Sequence, residues 1–165
     1  MLLKEDLTQE QVEAGLQDLT LFMDASISTS SGMVGLGAVI FKANKKIQAS
    51  LSKPLEGNLN VFHAEALALL VGLRWVQMIG LPVKFFFSDS LSMVQALNNT
   101  NAYHNELGIL LSDIKILLTE FPEASVSHVN RSYNVVAHNL AKQALVLDAE
   151  VSWVDDLAQH TDNQS

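Results

Sequence analysis

The chain has no cysteine among its 165 residues, and it is poor in basic side chains. The missing thiols exclude disulfides, thiolate zinc sites and cysteine nucleophiles. Ten lysines and arginines stand against eighteen aspartates and glutamates, which gives a formal net charge of −8. Because affinity for a phosphate backbone comes largely from lysine and arginine contacts, this balance predicts that any nucleic-acid binding is weak.

The sequence also lacks an uninterrupted apolar run of membrane-spanning length. The longest candidate, Val61–Ile79, is broken by His63, Glu65, Arg74 and Gln77, whereas a span needs about 20 predominantly apolar residues. The first residues show neither the basic start nor the apolar core of a signal peptide. We therefore expect an intracellular protein, nuclear or cytoplasmic, that makes no membrane contact.

What the sequence does contain is enough apolar side chain for one packed domain. Hydrophobic residues make up 48% of the chain and charged residues 17%, a composition typical of globular rather than disordered proteins. The length also fits a single domain. We divide the chain into a lead-in at 1–18, a folded domain at 19–150 and a C-terminal tail at 151–165.

Alternating apolar patterns and turn residues predict the element order βββ-α-β-α-α-β-α. The first three strands are joined by short turns, which favours antiparallel pairing, and the first two are predicted to be longer than the third. A strand, a crossover helix and a further strand imply parallel pairing with a right-handed connection. The predicted strands are 19–27, 34–42, 46–51, 83–88 and 125–130, and the predicted helices are 61–79, 90–97, 106–121 and 133–147.

Three carboxylates fall in or beside apolar segments, where a charge is expensive. Asp24 lies in the first predicted strand, Glu65 in the long helix, and Asp89 directly after an aromatic strand. An unpaired ionised group in a medium of low dielectric is strongly disfavoured or shifts its pKa. A divalent cation shared by all three would relieve this cost. The alternative is local hydrogen bonding, and for Asp89 taken alone, ahead of a helix, capping is the better explanation.

Four short segments carry a recognisable pattern: Asp-Ala-Ser at 24–26 with Gly-Leu-Gly at 35–37, Ala-Glu-Ala-Leu-Ala-Leu at 64–69, Ser-Asp-Ser at 88–90, and the closing stretch 129–141. In this order and spacing they resemble the ribonuclease H family. The similarity covers residues 19–147, and it is greatest to the plant branch of retroelement-derived, reverse-transcriptase-like domains.

The resemblance implies an α/β fold of the RNase H-like type. Its sheet would be five-stranded and mixed, with three antiparallel strands followed by parallel strands and with helices on both faces. The resemblance also implies that Asp24, Glu65 and Asp89 hold Mg²⁺ or Mn²⁺, for which oxygen ligands are suited. The implied activity is endonucleolytic hydrolysis of RNA in RNA/DNA hybrids by metal-assisted attack of water.

The chain departs from that pattern in its last helix, where His138 replaces the family's fourth carboxylate. The replacement removes a negative charge, and imidazole suits Zn²⁺ or Mn²⁺ better than Mg²⁺. We therefore expect low occupancy of a second metal position and weak activity. His138 either contacts the site, as a ligand or a polar neighbour, or bonds only to backbone.

Four further residues are candidates for binding the substrate, each with a local alternative. Ser26 and Ser90 can contact a ribose or satisfy neighbouring backbone groups, and Asn134 can orient a phosphate or cap a helix, with capping slightly favoured. Arg131 resembles an arginine of the branch with a short loop and can touch a phosphate. Close packing explains Gly35 and Gly37 better than phosphate binding, and a solvated hairpin face explains the group Lys42, Lys45, Lys46 and Lys53.

Two functions follow from these observations. The first is a weakly active RNase H-like nuclease with Asp24, Glu65, Asp89 and His138 in its catalytic site. The second is a catalytically silent module of the same fold that binds nucleic acid or another protein.

Overall fold

The computed structural model describes residues 2–4, 18–99 and 105–155, and these form seven strands, four α-helices and one 3₁₀ turn. The strands are β1 (Leu2–Lys4), β2 (Thr20–Ser28), β3 (Met33–Phe41), β4 (Ile47–Glu56), β5 (Phe85–Ser88), β6 (Ser125–His128) and β7 (Val151–Val154). The helices are α1 (Val61–Ile79), α2 (Leu91–Asn98), α3 (Glu106–Leu118) and α4 (Val135–Ala144), and the 3₁₀ turn Arg131–Tyr133 precedes α4.

All seven strands belong to one mixed sheet with the order β1-β6-β5-β2-β3-β4-β7. Strands β2, β3 and β4 are antiparallel neighbours, while β5 runs parallel to β2 and β6 parallel to β5. The predicted α/β fold is therefore confirmed, with its five predicted strands at the centre. The short strands β1 and β7 extend the sheet by one strand at each edge.

Helices cover both faces because side chains alternate along the central strands. In β2, Leu21 and Met23 point to one face and Phe22 to the other. The first face packs against α1, α2 and α3 and holds the larger apolar cluster. The opposite face packs against α4 and holds a smaller cluster, which contains Phe22, Val39, Phe87, Val129 and Ala137.

Helix α1 is the apolar helix that crosses the sheet. The Asn60 side chain accepts a hydrogen bond from the main-chain N–H of His63 at its start, and Gly80 ends it in the left-handed conformation with φ of 72°. By length and composition alone α1 could cross a membrane, but 56% of its apolar window is buried within the domain. The helix is therefore placed as a core helix of this sheet.

Two glycines in β3 allow α4 to lie directly on the sheet. A Cβ atom on Gly35 would stand 2.0 Å from the carbonyl oxygen of Ala141, and one on Gly37 would stand 2.3 Å from that of Ala137. The interpretation of these glycines as close-packing positions is confirmed. Because Gly37 is paired with Asp24 across the β2–β3 ladder, this contact also brings α4 beside the carboxylate.

The third predicted strand is longer than expected. Strand β4 has 10 residues, whereas β2 and β3 have 9 each, so the predicted order of lengths is wrong. Pro54 is part of this strand, although proline is typical of loops and strand ends. It lies beyond the segment Ala49–Ser52 that β7 covers, and a proline is tolerated where a strand has an open edge.

Residues 151–154 were expected in a tail and instead form β7. The strand is flanked by two ion pairs, Lys53 Nζ to Glu150 Oε1 at 3.1 Å and Lys42 Nζ to Asp155 Oδ2 at 3.0 Å. These two lysines of the hairpin therefore pair with carboxylates of the chain itself. The rest of the predicted tail, and the predicted lead-in apart from residues 2–4 and 18, lie outside the described residues.

The boundaries of two helices differ from prediction by two residues or more. Helix α3 ends at Leu118 rather than 121, and the last helix begins at Val135 after a 3₁₀ turn and ends at Ala144 rather than 147. In both cases the apolar pattern continues past the last helical turn, so periodicity alone extends the helix too far.

Candidate metal centre

The sheet topology brings two aspartates together. Asp24 lies in the middle of β2, and the parallel ladder with β5 ends where Met23 is paired with Ser88. Asp89 is the next residue after that last pair, so it leaves the sheet beside Asp24. The parallel pairing of these two strands was predicted from the order of elements, and it is the reason that the two carboxylates meet.

Glu65 reaches the same point from α1. One ligand oxygen from each of Asp24, Glu65 and Asp89 lies within 4.8 Å of the others. Asp24 and Glu65 are only 3% and 4% exposed, and the Asp89 side chain is 6% exposed. The structure thus brings together the three carboxylates that the sequence singled out; it buries Asp24 and Glu65, and Asp89 is of intermediate burial as a whole residue.

Burial, and next the neighbouring negative charge, disfavours the ionisation of Glu65 and Asp89. Burial is the largest cause that raises the pKa of Glu65 from 4.5 to about 10, and the charges of Asp24 and Asp89 add to it. The main-chain nitrogen of Ala25 donates a hydrogen bond to Glu65 Oε1 at 3.4 Å, and this bond lowers the pKa of Glu65. Burial and the Asp24 charge also raise the pKa of Asp89. A cation would reverse both effects by favouring the charged forms.

The donor set fits a hard divalent cation. Glu65 Oε2 and Asp89 Oδ2 are buried and accept no hydrogen bond from the described part of the chain. Arg131 approaches Asp89 with Nε 3.6 Å from Oδ2, but its side chain is 82% exposed, so the ion pair is weak. Carboxylate oxygens that converge and remain unsatisfied are the ligands that Mg²⁺ and Mn²⁺ prefer.

His138 contacts the site directly. Its Nδ1 atom lies 2.7 Å from Asp24 Oδ2, and about a third of its side chain, 34%, is exposed. Of the two alternatives for this residue, the structure therefore supports contact with the site rather than bonding to backbone. Helix α4 positions it there because Gly37 lets the preceding residue, Ala137, pack on β3.

A cavity of about 230 Å³ opens onto these residues. Its polar lining comes from Asp24, Ser26, Glu65, Arg131 and His138. Two of the four residues predicted to bind substrate, Ser26 and Arg131, therefore line the same cavity as Asp24 and Glu65. Their contact with a substrate stays a prediction.

The other two predicted substrate residues are placed differently. The Ser90 hydroxyl accepts a hydrogen bond from the main-chain N–H of Met93 and caps α2. Asn134 precedes α4 but makes no capping hydrogen bond with its side chain, so the capping interpretation is wrong. Its side chain is fully buried and donates from Nδ2 to the carbonyl oxygen of Met23 at 2.9 Å.

The contact between Asn134 and Met23 is the feature that sequence reasoning missed. The two residues are 111 positions apart, and a polar residue ahead of a helix is more often a cap. A signal was nevertheless present, because Asn134 and His138 stand four residues apart and so share one face of a helix.

The fold and the buried carboxylates together define an RNase H-like domain. Residues 22–144 match the family described as reverse transcriptase-like, and the chain belongs to that family. No curated protein matches the sequence. The predicted origin from a plant retroelement stays a prediction.

Several solved structures with the same fold are ribonucleases H. RNase H1 from the halophilic archaeon Halobacterium salinarum superposes with a TM-score of 0.69 at 24% identity, covering 78% of this chain and 97% of that one. LC11-RNase H1, isolated from compost and solved with an RNA/DNA hybrid, gives 0.67 at 21%, covering 78% and 96%. The N-terminal RNase H domain of rv2228c from Mycobacterium tuberculosis gives 0.64 at 20%, covering 88% and 98%.

Proposed function

We propose that this protein is a divalent-metal-dependent ribonuclease that hydrolyses the RNA strand of RNA/DNA hybrids with low activity. The observation that carries the proposal is the convergence of Asp24, Glu65 and Asp89 within 4.8 Å. The structural relative LC11-RNase H1 was solved with an RNA/DNA hybrid, which supports this class of substrate.

The three carboxylates would hold Mg²⁺ or Mn²⁺ at the end of the cavity. When bound, such a cation stabilises charge on a phosphate and lowers the pKa of a bound water. The protein's own part is to fix the oxygen ligands on rigid strands and a helix. Burial of these ligands excludes bulk water from them and strengthens every electrostatic interaction in the site.

Ser26 and Arg131 would bind the substrate around this centre. Both line the cavity, and the guanidinium of Arg131 is exposed and free to turn toward solvent. An arginine can bind a phosphate through two parallel hydrogen bonds. We assign Arg131 to a phosphate of the substrate and Ser26 to a neighbouring sugar or phosphate oxygen.

His138 explains why we expect the activity to be low. It replaces a carboxylate with a ring that already contacts Asp24 Oδ2, so one oxygen of the site is shared between a cation and an imidazole. The net charge of −8 also repels a nucleic acid, and two lysines of the β3–β4 hairpin are paired with Glu150 and Asp155.

The second candidate is a module of the same fold that binds nucleic acid or a protein without catalysis. The observation that favours it is again His138, because the chain has an imidazole where a fourth acidic ligand is expected. The two candidates differ in one measurable property, which is cleavage of a hybrid in the presence of a metal.

The test is cleavage of an end-labelled RNA/DNA hybrid in Mn²⁺ and in Mg²⁺. We expect slow cleavage of the RNA strand by the wild type, faster in Mn²⁺, and none by Asp24→Asn. Asp113→Asn is the matched control, because it removes the same charge from an exposed position on α3. If the wild type and Asp24→Asn leave the hybrid equally intact, the binding module replaces the nuclease.

A further inference from the structure

Asn134 is the polar residue that the proposed chemistry has not used. It is 0% exposed, and its Oδ1 atom is buried without a hydrogen bond from the described residues. An unsatisfied buried acceptor lowers stability by about 1–3 kcal/mol, so burial of this amide is not explained by stability.

The side-chain nitrogen of Asn134 makes its hydrogen bond at the point where the ladder between β2 and β5 ends. Asn134 Nδ2 donates to the carbonyl oxygen of Met23 at 2.9 Å, and Met23 immediately precedes Asp24. The ladder between β2 and β5 ends at the pair Met23–Ser88. The Asn134 amide therefore holds the main chain of β2 at the position beyond which β5 no longer pairs with it.

The backbone of Asn134 links the same point to His138. Its carbonyl oxygen accepts the first hydrogen bond of α4 from the His138 N–H at 3.0 Å. His138 then contacts Asp24. A single residue thus connects the 3₁₀ turn, the start of α4 and the segment of β2 that carries Asp24.

We propose that Asn134 is a positioning residue: it holds the Asp24 segment of β2, and through the first hydrogen bond of α4 it holds His138 against Asp24, so that the Asp24 carboxylate stays where a shared divalent cation requires it. This inference rests on the proposed function, because it assigns Asn134 a role in the same metal centre. Asn134 itself need not touch the cation or the substrate. Without its amide, the Asp24 carboxylate is no longer held at a fixed distance from the other two.

The test is Mn²⁺ binding by electron paramagnetic resonance, which needs no cleavage. We expect Asn134→Ala to raise the dissociation constant at least about tenfold, the lower end for loss of a group that orients metal ligands, and to change the line shape of bound Mn²⁺. Asn105→Ala is the matched control, because it removes an asparagine that caps α3 away from the site. All measurements are made at a temperature where circular dichroism shows each variant folded.

The outcomes separate this inference from the proposed function. Wild-type affinity and line shape in Asn134→Ala would overturn the positioning role while leaving the metal centre intact. If the wild type itself binds no Mn²⁺, the metal centre fails and this inference fails with it. Should Asn134→Ala not fold, Asn134→Leu, which has a similar shape and no hydrogen-bond donor, is measured against the same tenfold criterion and decides in its place.

Discussion

The Nδ1 atom of His138 and the Oδ2 atom of Asp24 lie 2.7 Å apart, although the two residues are 114 positions apart in the sequence. The contact depends on Gly37, which is paired with Asp24 in the sheet and lies under Ala137 of α4. The residue that replaces the expected fourth carboxylate therefore bonds to a carboxylate that remains. This relationship makes the identity of residue 138 the first variable to test.

His138→Asp is expected to increase cleavage in Mg²⁺. The change restores a hard oxygen ligand and its negative charge at the second metal position. It also removes the imidazole that contacts Asp24 Oδ2, so this oxygen can bind a cation at the first position without competition. The measurement is the cleavage rate in Mg²⁺ divided by the rate in Mn²⁺, and we expect this ratio to be higher for His138→Asp than for the wild type.

The control is Gln143→Glu, which adds a carboxylate at an exposed position of the same helix and should leave the rates unchanged. A lower rate for His138→Asp would mean that the imidazole itself takes part in the reaction.

In the absence of metal, stability is expected to fall as the pH rises. The pKa of Glu65 is raised from 4.5 to about 10, so across this interval the native state binds more protons than the unfolded state. The free energy of unfolding then decreases with pH. Thermal melts in EDTA from mildly acid to alkaline pH would show it.

Glu65→Gln removes this titration with little change in shape, so its melting temperature should depend less on pH than that of the wild type. Added Mn²⁺ should stabilise the wild type most at alkaline pH, where the cation displaces fewer protons. Parallel pH curves for the two proteins would contradict the assignment of the shift to Glu65.

Gly37→Ala is expected to destabilise the domain and to displace His138. The new Cβ would stand 2.3 Å from the carbonyl oxygen of Ala137, and that backbone can yield only if α4 moves off the sheet. Forcing atoms into a packed contact typically costs about 1–3 kcal/mol. The measurement is the free energy of unfolding in urea.

Gly72→Ala is the matched control, because its Cβ would meet only the side chain of Leu21, at 3.6 Å. In the interior of α1 this change should be neutral or stabilising by up to about 1 kcal/mol. Equal stabilities for the two variants would mean that α4 does not rest on β3 as described.

Arg131→Ala is expected to weaken hybrid binding without much effect on stability. Its side chain is 82% exposed and its ion pair with Asp89 is long, so folding depends little on it. Loss of one phosphate contact should reduce the slope of log Kd against log salt by about 1.

The measurement is the dissociation constant for a hybrid in Ca²⁺ at several salt concentrations. Arg74→Ala, which removes an exposed arginine from α1, should leave that slope unchanged. If both variants behave alike, Arg131 contributes only general charge.

Much of the fold and the three carboxylates could be predicted from local patterns. The strand–helix–strand order implies that β2 and β5 are parallel neighbours, and this alone brings Asp24 and Asp89 together. Strand β7 could not be predicted, because its position depends on Lys42–Asp155 and Lys53–Glu150, pairs that are 113 and 97 residues apart. A four-residue strand carries too little periodicity to be recognised without them.

The role of Asn134 was missed for a related reason. Its partner is the main-chain carbonyl oxygen of Met23. Every residue has such a group, so the identity of residue 23 does not indicate the contact. Side chains that bond to distant backbone are therefore invisible to motif comparison, even when the motif contains them. The position of His138 was open for the same reason, since it depends on how closely α4 approaches β3.

The four residues of β7 affect how readily the edge of the sheet can pair with another chain. Without them β4, at 10 residues, would be the outermost strand and would offer its unpaired backbone to any other extended chain. Strand β7 pairs with Ala49–Ser52 in the middle of β4, and a lysine–carboxylate ion pair lies at each end of β7. Farther along β4, Pro54 has no main-chain N–H to donate. With β7 in place, the outermost strand at this side of the described sheet has four residues instead of the 10 of β4.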